Sequence, residues 1–367
     1  MNTQQIFYDF YFYPLIELFV SIYILLYIFY SVSFNGSKNL CFPSILSSTT
    51  FFTVFVFMLV LTLLNTSFFF SYSSFQGFSR TDLLPLSFKG LLLLTSIFLL
   101  LISKEYLNFC GVFRYEYDLF FVFSVFGLFL LASADDFLSA YLALELVALC
   151  FYVLASFHRT SEFSTEAGIK YFVLGAFSSG LLLLGFLLIY LVFGTTSFDV
   201  LSKLFFAPNN FLIFWGSLFV TVALFFKIGA VPFHLWLCDV YEGCLTSVTA
   251  IFSVVPKLVL LIVLIKLYVF VFAEHQENLL IFFLFSGFFS VFFASIAGLY
   301  QKRVKRLIAY STISHTGFML LGISLASGDS IKSCVLYIVL YILASLAIFC
   351  IIMLAGINKK SPKYIIN

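Results

Sequence analysis

Polar residues in this chain fall in short breaks between long apolar runs. Within the runs there is neither the alternation of a half-buried strand nor the single stripe of a surface helix. Each run is about 20 residues long, the length at which an α-helix crosses the hydrocarbon core of a bilayer. About eleven spans follow, over approximately 11–33, 50–72, 83–103, 117–134, 137–157, 166–192, 211–236, 245–270, 279–300, 306–326 and 331–356. A transmembrane barrel would show alternating segments of about 10 residues. The pattern therefore predicts an all-α polytopic membrane protein with short loops and no soluble domain.

Composition agrees. Of 367 residues, 63% are hydrophobic and 10% charged, against about 25% charged in soluble domains. So few polar side chains cannot cover a soluble surface. The same figures exclude disordered, collagenous and disulfide-stapled chains. A net charge of +2 gives no reason to expect nucleic acid. The basic run Lys302–Arg306 caps a hydrophobic helix. The seven cysteines form no CxxC and sit mostly in apolar runs, as small core residues rather than ligands or disulfides. No Arg-rich or signal-type presequence opens the chain. The 54 phenylalanines suggest T-rich codons of an organellar genome, since Leu would serve equally in lipid.

Loop Lys and Arg set the orientation. About eleven lie on the side of the loops after odd-numbered spans and the C-terminus: Lys38, Lys104, Arg114, Arg159, Lys302, Arg303, Lys305, Arg306, Lys359, Lys360 and Lys363. About four, Arg80, Lys89, Lys203 and Lys332, lie on the other side. The basic side should face the cytoplasm or mitochondrial matrix, with the N-terminus outward and the C-terminus inward.

The remaining four basic residues lie within spans, Lys170, Lys227, Lys257 and Lys266, and Glu145 lies mid-span in the fifth. A central lysine costs at least about 2.5–3.5 kcal/mol to insert, so each is a functional candidate. Lys266 is near a span end, where snorkelling suffices. Lys170 has Glu166 at i−4, suited to an intrahelical pair, and either a structural or a functional role fits it. Lys227 and Lys257 stand beside Pro232 and Pro256. Proline in a helix removes the bond to the carbonyl four residues back, here Ile228 and Phe252. Broken helices beside buried charges are how transporters build ion sites. Glu145 with several lysines on different helices suits a proton path better than a binding pocket. His234 in the broken segment and His315 in the tenth span are either relays or satisfied core histidines. His158 and His275 read as interfacial and solvated. There is no nucleotide motif, HExxH or His/Cys metal spacing, and nothing suggests flavin, haem or iron–sulfur binding. The chain should move ions, not electrons.

Several segments carry a resemblance. LLASADDFLSAYLALELVALCFYVLASF (130–157) resembles the fourth and fifth helices of subunit 2 of NADH dehydrogenase, the N-type antiporter-like family of respiratory complex I. STEAGIKYFVLGAFSSGLLLLG (164–185) is similar to its sixth helix. FFKIGAVPFHLWLCDVYEG (225–243) is similar to its broken seventh, TSVTAIFSVVPKLVLL (246–261) to its eighth and KRLIAYSTISHTGFMLLG (305–322) to its tenth. The likeness covers roughly 105–356, and the DVYEG ending favours subunit 2 over subunits 4 and 5.

The resemblance implies a fold of two inverted five-helix repeats with a broken seventh helix. It divides the chain into helices 1–3 (1–116), a first repeat (117–270) and an incomplete second repeat with a short tail (271–367). It implies a proton-translocating subunit in the mitochondrial inner membrane, with the N-terminus in the intermembrane space and the C-terminus in the matrix. The enzyme is the whole NADH:ubiquinone reductase. NADH, FMN, iron–sulfur clusters and ubiquinone act elsewhere in it, and this chain binds none of them. Glu145 matches the family's coupling glutamate, Lys227 the lysine at the broken helix, Lys257 the relaying lysine of the eighth helix and Lys170 a lysine of the sixth. Partners are the lipid bilayer and other complex I membrane subunits, especially antiporter-like neighbours. The family commonly reads LWLPDVYEGAPT, where this chain has Cys238, Cys244 and Leu245 at the proline, alanine and proline positions. The family also continues through about three more helices, including a second broken helix with a lysine. A separate polypeptide is expected to supply them; the alternative is a truncated subunit. Two rival functions stay open, a subunit of a multisubunit sodium/proton antiporter and a structural scaffold that no longer pumps.

Overall fold

The computed structural model describes residues 14–35, 72–74, 79–81, 83–112, 114–204, 211–272 and 276–357, with isolated positions 53, 56 and 60. The helices are α1 (Pro14–Asn35), α2 (Leu83–Cys110), α3 (Tyr115–Ser133), α4 (Phe137–Ala155), α5 (Glu162–Phe193) and the short α6 (Phe198–Leu204). They continue with α7 (Phe211–Ile228), α8 (Leu235–Gly243), α9 (Thr246–Ile265), α10 (Gln276–Leu299), α11 (Val304–Ser324) and α12 (Gly328–Ile357). A π-helical turn, Lys266–Val271, extends α9. A small antiparallel hairpin, β1 (Tyr72–Ser74) with β2 (Ser79–Thr81), precedes α2. Among the described residues nine helices are long and apolar enough to span a membrane, and α1 contributes a shorter apolar stretch, Glu17–Ser31. The expected span at 50–72 lies almost wholly outside the described residues. The all-α membrane architecture expected from the apolar runs is what forms.

By compactness the chain divides into Met1–Leu154 and Ala155–Asn367. This is a different criterion from the repeat boundaries at 116 and 270.

In the first unit α1 is inside out. Its buried face carries Glu17, Tyr23, Tyr27 and Ser31 beside Val20 and Ile24, while Leu18, Ile22, Leu25, Leu26 and Phe29 face outward. Such a helix suits lipid outside and polar partners inside. Lys89 of α2 donates to Glu17 Oε1 at 2.9 Å, and the Ser133 hydroxyl of α3 donates to the same oxygen at 3.1 Å. Both charged side chains are almost fully buried, and the Lys89 ammonium sits 5.5 Å from the Phe129 ring centroid. The assignment of Lys89 to the outer loops is thus corrected. It is a buried helical residue, withdrawn from the surface by its counter-charge.

In the second unit α9 is the centre. Apart from Pro256, its side chains from Thr246 to Ile265 are buried. The outer helices α5, α10 and α12 leave large apolar residues exposed, among them Phe172, Phe177, Phe288, Phe292 and Leu336. Helices α5 and α7 cross at Gly185 and Gly216. A Cβ on Gly185 would stand 2.8 Å from the Gly216 carbonyl oxygen, so only paired small residues allow this approach.

Candidate functional site: a helix break and a buried lysine network

Helix α7 ends one residue beyond Lys227. Gly229 takes a left-handed backbone, φ +81°, which a residue without Cβ adopts freely. Its N–H donates to the Phe226 carbonyl at 3.1 Å, and the Ala230 N–H donates to the Phe225 carbonyl at 2.9 Å. This pair of bonds is a Schellman stop. The break is where the sequence placed it, between α7 and α8, but its cause is different. Gly229 ends the helix before Pro232 is reached, so Pro232 lies in the connection rather than in a helix interior. Two further donors satisfy carbonyls here. The Trp236 indole N–H donates to Phe226 at 2.9 Å, and the Ser286 hydroxyl donates to Val231 at 2.9 Å. Lys227 is half-buried in the last turn of α7. The negative end of the helix dipole favours a cation there.

His234 immediately precedes α8 and is buried, with its ring edge-on to Phe293 at 5.1 Å. Neither ring nitrogen has a hydrogen-bond partner of good geometry among the described residues. The Pro232 backbone is a polar group that acts on it.

Lys257 is 4% exposed, at the centre of the second unit. Its ammonium donates to the Thr312 carbonyl and to the Tyr341 hydroxyl, each at 3.4 Å, and lies 5.3 Å from the Tyr341 ring centroid. Tyr341 in turn donates to the Ser253 carbonyl at 3.0 Å. Helix α9 runs on through Pro256. The Tyr341 hydroxyl reaches Ser253, one residue beyond the Phe252 carbonyl that the proline was expected to free. His315 of α11 joins this group: Nδ1 is 2.7 Å from the Tyr337 hydroxyl, and its ring is 5.1 Å from that of Tyr341. Lys257 and His315, expected on separate spans, therefore share one polar group. Tyr337 and Tyr341, one turn apart on α12, complete it. Neither tyrosine was singled out from the sequence.

Lys170 is in a different setting. It is exposed and pairs with Glu166 at 2.8 Å, as the i−4 spacing suggested, and with Asp239 of α8 at 3.1 Å. Arg306 reaches Asp239 at 3.5 Å and also Glu242, which Arg303 holds as well. Lys305 donates to the Cys244 carbonyl at 2.6 Å. Glu166, Lys170, Asp239, Glu242, Arg303 and Arg306 line a cleft of about 120 Å³. Glu145 belongs to α4 in the first unit. It is half-buried, and its Oε1 has no hydrogen-bond partner among the described residues. Lys266 is half-buried where α9 becomes π-helical. His158 accepts or donates a bond with Thr160 at 3.0 Å in the turn after α4. His275 lies outside the described residues.

A helix break, a buried lysine and a histidine–tyrosine group beside it thus lie together in one helical membrane unit. The chain belongs to the NADH:quinone oxidoreductase/Mrp antiporter transmembrane family, whose model matches residues 134–367. It is 38% identical over 310 residues to NADH-quinone oxidoreductase subunit N of Paramagnetospirillum magneticum, covering 79% of this chain and 64% of that one. It is 39% identical over 281 residues to NADH-ubiquinone oxidoreductase chain 2 of Marchantia polymorpha, covering 75% and 57%. The chain thus spans about three-fifths of the length of these relatives. Its fold is that of a chain in respiratory complex I from Thermus thermophilus (TM-score 0.75, 24% identity, 92% of this chain and 70% of that one). The Mrp complex from Dietzia sp. DQ12-45-1b contains the same fold (TM-score 0.77, 17% identity, 95% and 65%).

Proposed function

We propose that this chain is a proton-translocating subunit of the membrane arm of respiratory complex I, working beside antiporter-like neighbours. The observation that carries this reading is Lys257. An ammonium in the apolar centre of a membrane domain is unfavourable by at least about 2.5–3.5 kcal/mol. Here the Thr312 carbonyl, the Tyr341 hydroxyl and the Tyr341 ring face accept it. A charge kept at such a position suits a group that gains and loses a proton during turnover. Lys257 is the group that gains and loses the proton, and His315, held by Tyr337 with its ring 5.1 Å from that of Tyr341, is the base nearest to it. Lys227, at the dipole end of α7, is the neighbouring cation-favouring position, and His234 follows it in the break. Glu145 is the carboxylate through which a neighbouring subunit would act on the lysines.

Redox chemistry, with NADH, FMN, iron–sulfur clusters and ubiquinone, belongs to other subunits. The excess of loop Lys and Arg after the odd-numbered spans supports an orientation with the N-terminus in the intermembrane space and the C-terminus in the matrix of a mitochondrial inner membrane. The Mrp-type fold favours one rival, a subunit of a multisubunit sodium/proton antiporter. Purification of the native membrane complex decides between them. Iron–sulfur subunits and NADH oxidation in the same complex support the proposal, and a complex without them supports the antiporter.

A further inference from the structure

The ion pairs around Asp239 and the helix break beside Lys227 are joined by a short rigid path. Trp236 stands one turn before Asp239 on α8. Its indole lies between two rings: Tyr171 of α5, stacked at 4.8 Å and 12°, and Phe226 of α7, stacked at 5.4 Å and 25°. Its N–H closes the Phe226 carbonyl, one residue before Lys227. Tyr171 is the chain neighbour of Lys170, which holds Asp239 at the other end of the same turn of α8. Helix α8 is thus fixed at two points. Trp236 fixes it to the end of α7. Asp239 and Glu242 fix it to α5 through Lys170 and to α11 through Arg303 and Arg306.

The two fixings differ in kind. Trp236 and Tyr171 pack ring on ring, and Trp236 is buried. The Lys170–Asp239 pair is about two-fifths exposed on both sides, so water and salt weaken it. Asp239 also faces two competing cations from two helices, one on each carboxylate oxygen. Glu242 lies a turn further along, and Tyr310 and Cys238 are the other titratable groups acting close by. Leu237, Val240 and Tyr241 pack the buried face of this nine-residue helix, a six-residue irregular connection lies behind it, and the exposed ion pairs are its salt-sensitive fixing.

We propose that Lys170, Asp239 and Arg306 form a releasable latch on α8, and that through Trp236 this latch positions the Lys227 end of α7. When it is closed, the indole caps Phe226 and the break is held shut. When Asp239 lets go, α8 tilts, the Phe226 carbonyl loses its donor, and the cleft between α5, α8 and α11 opens toward the break. Lys170 is on this view a positioning residue, not a carrier of the proton. That these movements serve proton transfer rests on the function proposed above. The mechanical link from latch to break does not.

The test is hydrogen–deuterium exchange of the backbone amides of residues 229–236 in the intact membrane complex. Raising salt from 0.1 M to 1 M shortens the Debye length from about 10 Å to about 3 Å. Exchange in 229–236 should then quicken by about threefold or more. Lys170→Met and Asp239→Asn should give the same increase at low salt, and Lys170→Arg should match the wild type. Trp236→Phe keeps the ring but removes the N–H. It should quicken exchange at low salt with no further response to salt. Unchanged exchange in 229–236 across salt and across Lys170→Met overturns the latch. If exchange responds but Lys227 proves dispensable for proton transport, the latch stands and the functional reading falls. If Lys227 is required and exchange does not respond, the latch alone falls.

Discussion

Lys257 and Tyr341 meet across α9 and α12, with the ammonium 3.4 Å from the phenolic oxygen and 5.3 Å from the ring centroid. The same hydroxyl closes the Ser253 carbonyl at 3.0 Å. One side chain therefore holds the buried charge and the helix around it.

Tyr341→Phe removes both services while keeping the ring. Lys257 is left with the Thr312 carbonyl, and Ser253 loses its donor. Leaving buried polar groups short of a partner costs about 1–3 kcal/mol. Proton translocation per NADH oxidised should fall several-fold, with assembly retained. Tyr337→Phe frees only His315 and should have a smaller effect. Proton-release measurements on sealed vesicles compare the two, and equal wild-type yields would remove the tyrosines from the relay.

Gly229→Ala tests the cause of the helix break. The new methyl would have to occupy a left-handed backbone and would run into Leu237. A left-handed alanine alone is unfavourable by about 1–2 kcal/mol. A lower thermal midpoint of the complex is expected. Pro232→Ala should leave the end of α7 in place, since the Schellman bonds do not involve it, and exchange at Gly229 and Ala230 reports this directly.

The Glu17–Lys89 pair predicts a non-additive response. Lys89→Met alone leaves a buried carboxylate unopposed, which costs about 3–5 kcal/mol. The double change Glu17→Leu with Lys89→Met removes both charges and should recover most of the assembled protein. Blue-native electrophoresis of the three complexes measures the amounts. A double variant as depleted as the single one would show that the pair does more than balance itself.

Burial pushes the Cys244 thiol up to about 12. Below that pH the group is the neutral thiol, so the reactive thiolate is scarce at pH 8. Cys244 should resist maleimide in the folded complex and react only after denaturation, as peptide mass mapping would record.

The sequence made some parts of this legible and hid others. Lys257 and His315 stood out because ionisable residues are rare inside apolar runs. Their partners did not, since Tyr337 and Tyr341 are two among 21 tyrosines and tyrosine in a membrane helix raises no alarm. The i−4 spacing gave Lys170 its Glu166, but nothing in the linear chain brought Asp239 from a separate helix. The break was visible through Gly229 and Pro232 together. Which of the two ends the helix depends on backbone angles that composition does not report. Glu17 and Lys89 escaped notice because each lies near a span end, where a charge ordinarily meets water. Only the packing of α1 against α2 and α3 shows that these two do not.

The most direct test of the account is the number of protons translocated per NADH oxidised by the intact complex carrying Lys257→Met. Methionine fills a similar volume and suits the apolar surroundings, so the complex should assemble in normal amount. The account predicts a lowered proton yield with NADH oxidation by the redox subunits still measurable. An unchanged proton yield in a fully assembled Lys257→Met complex would contradict it.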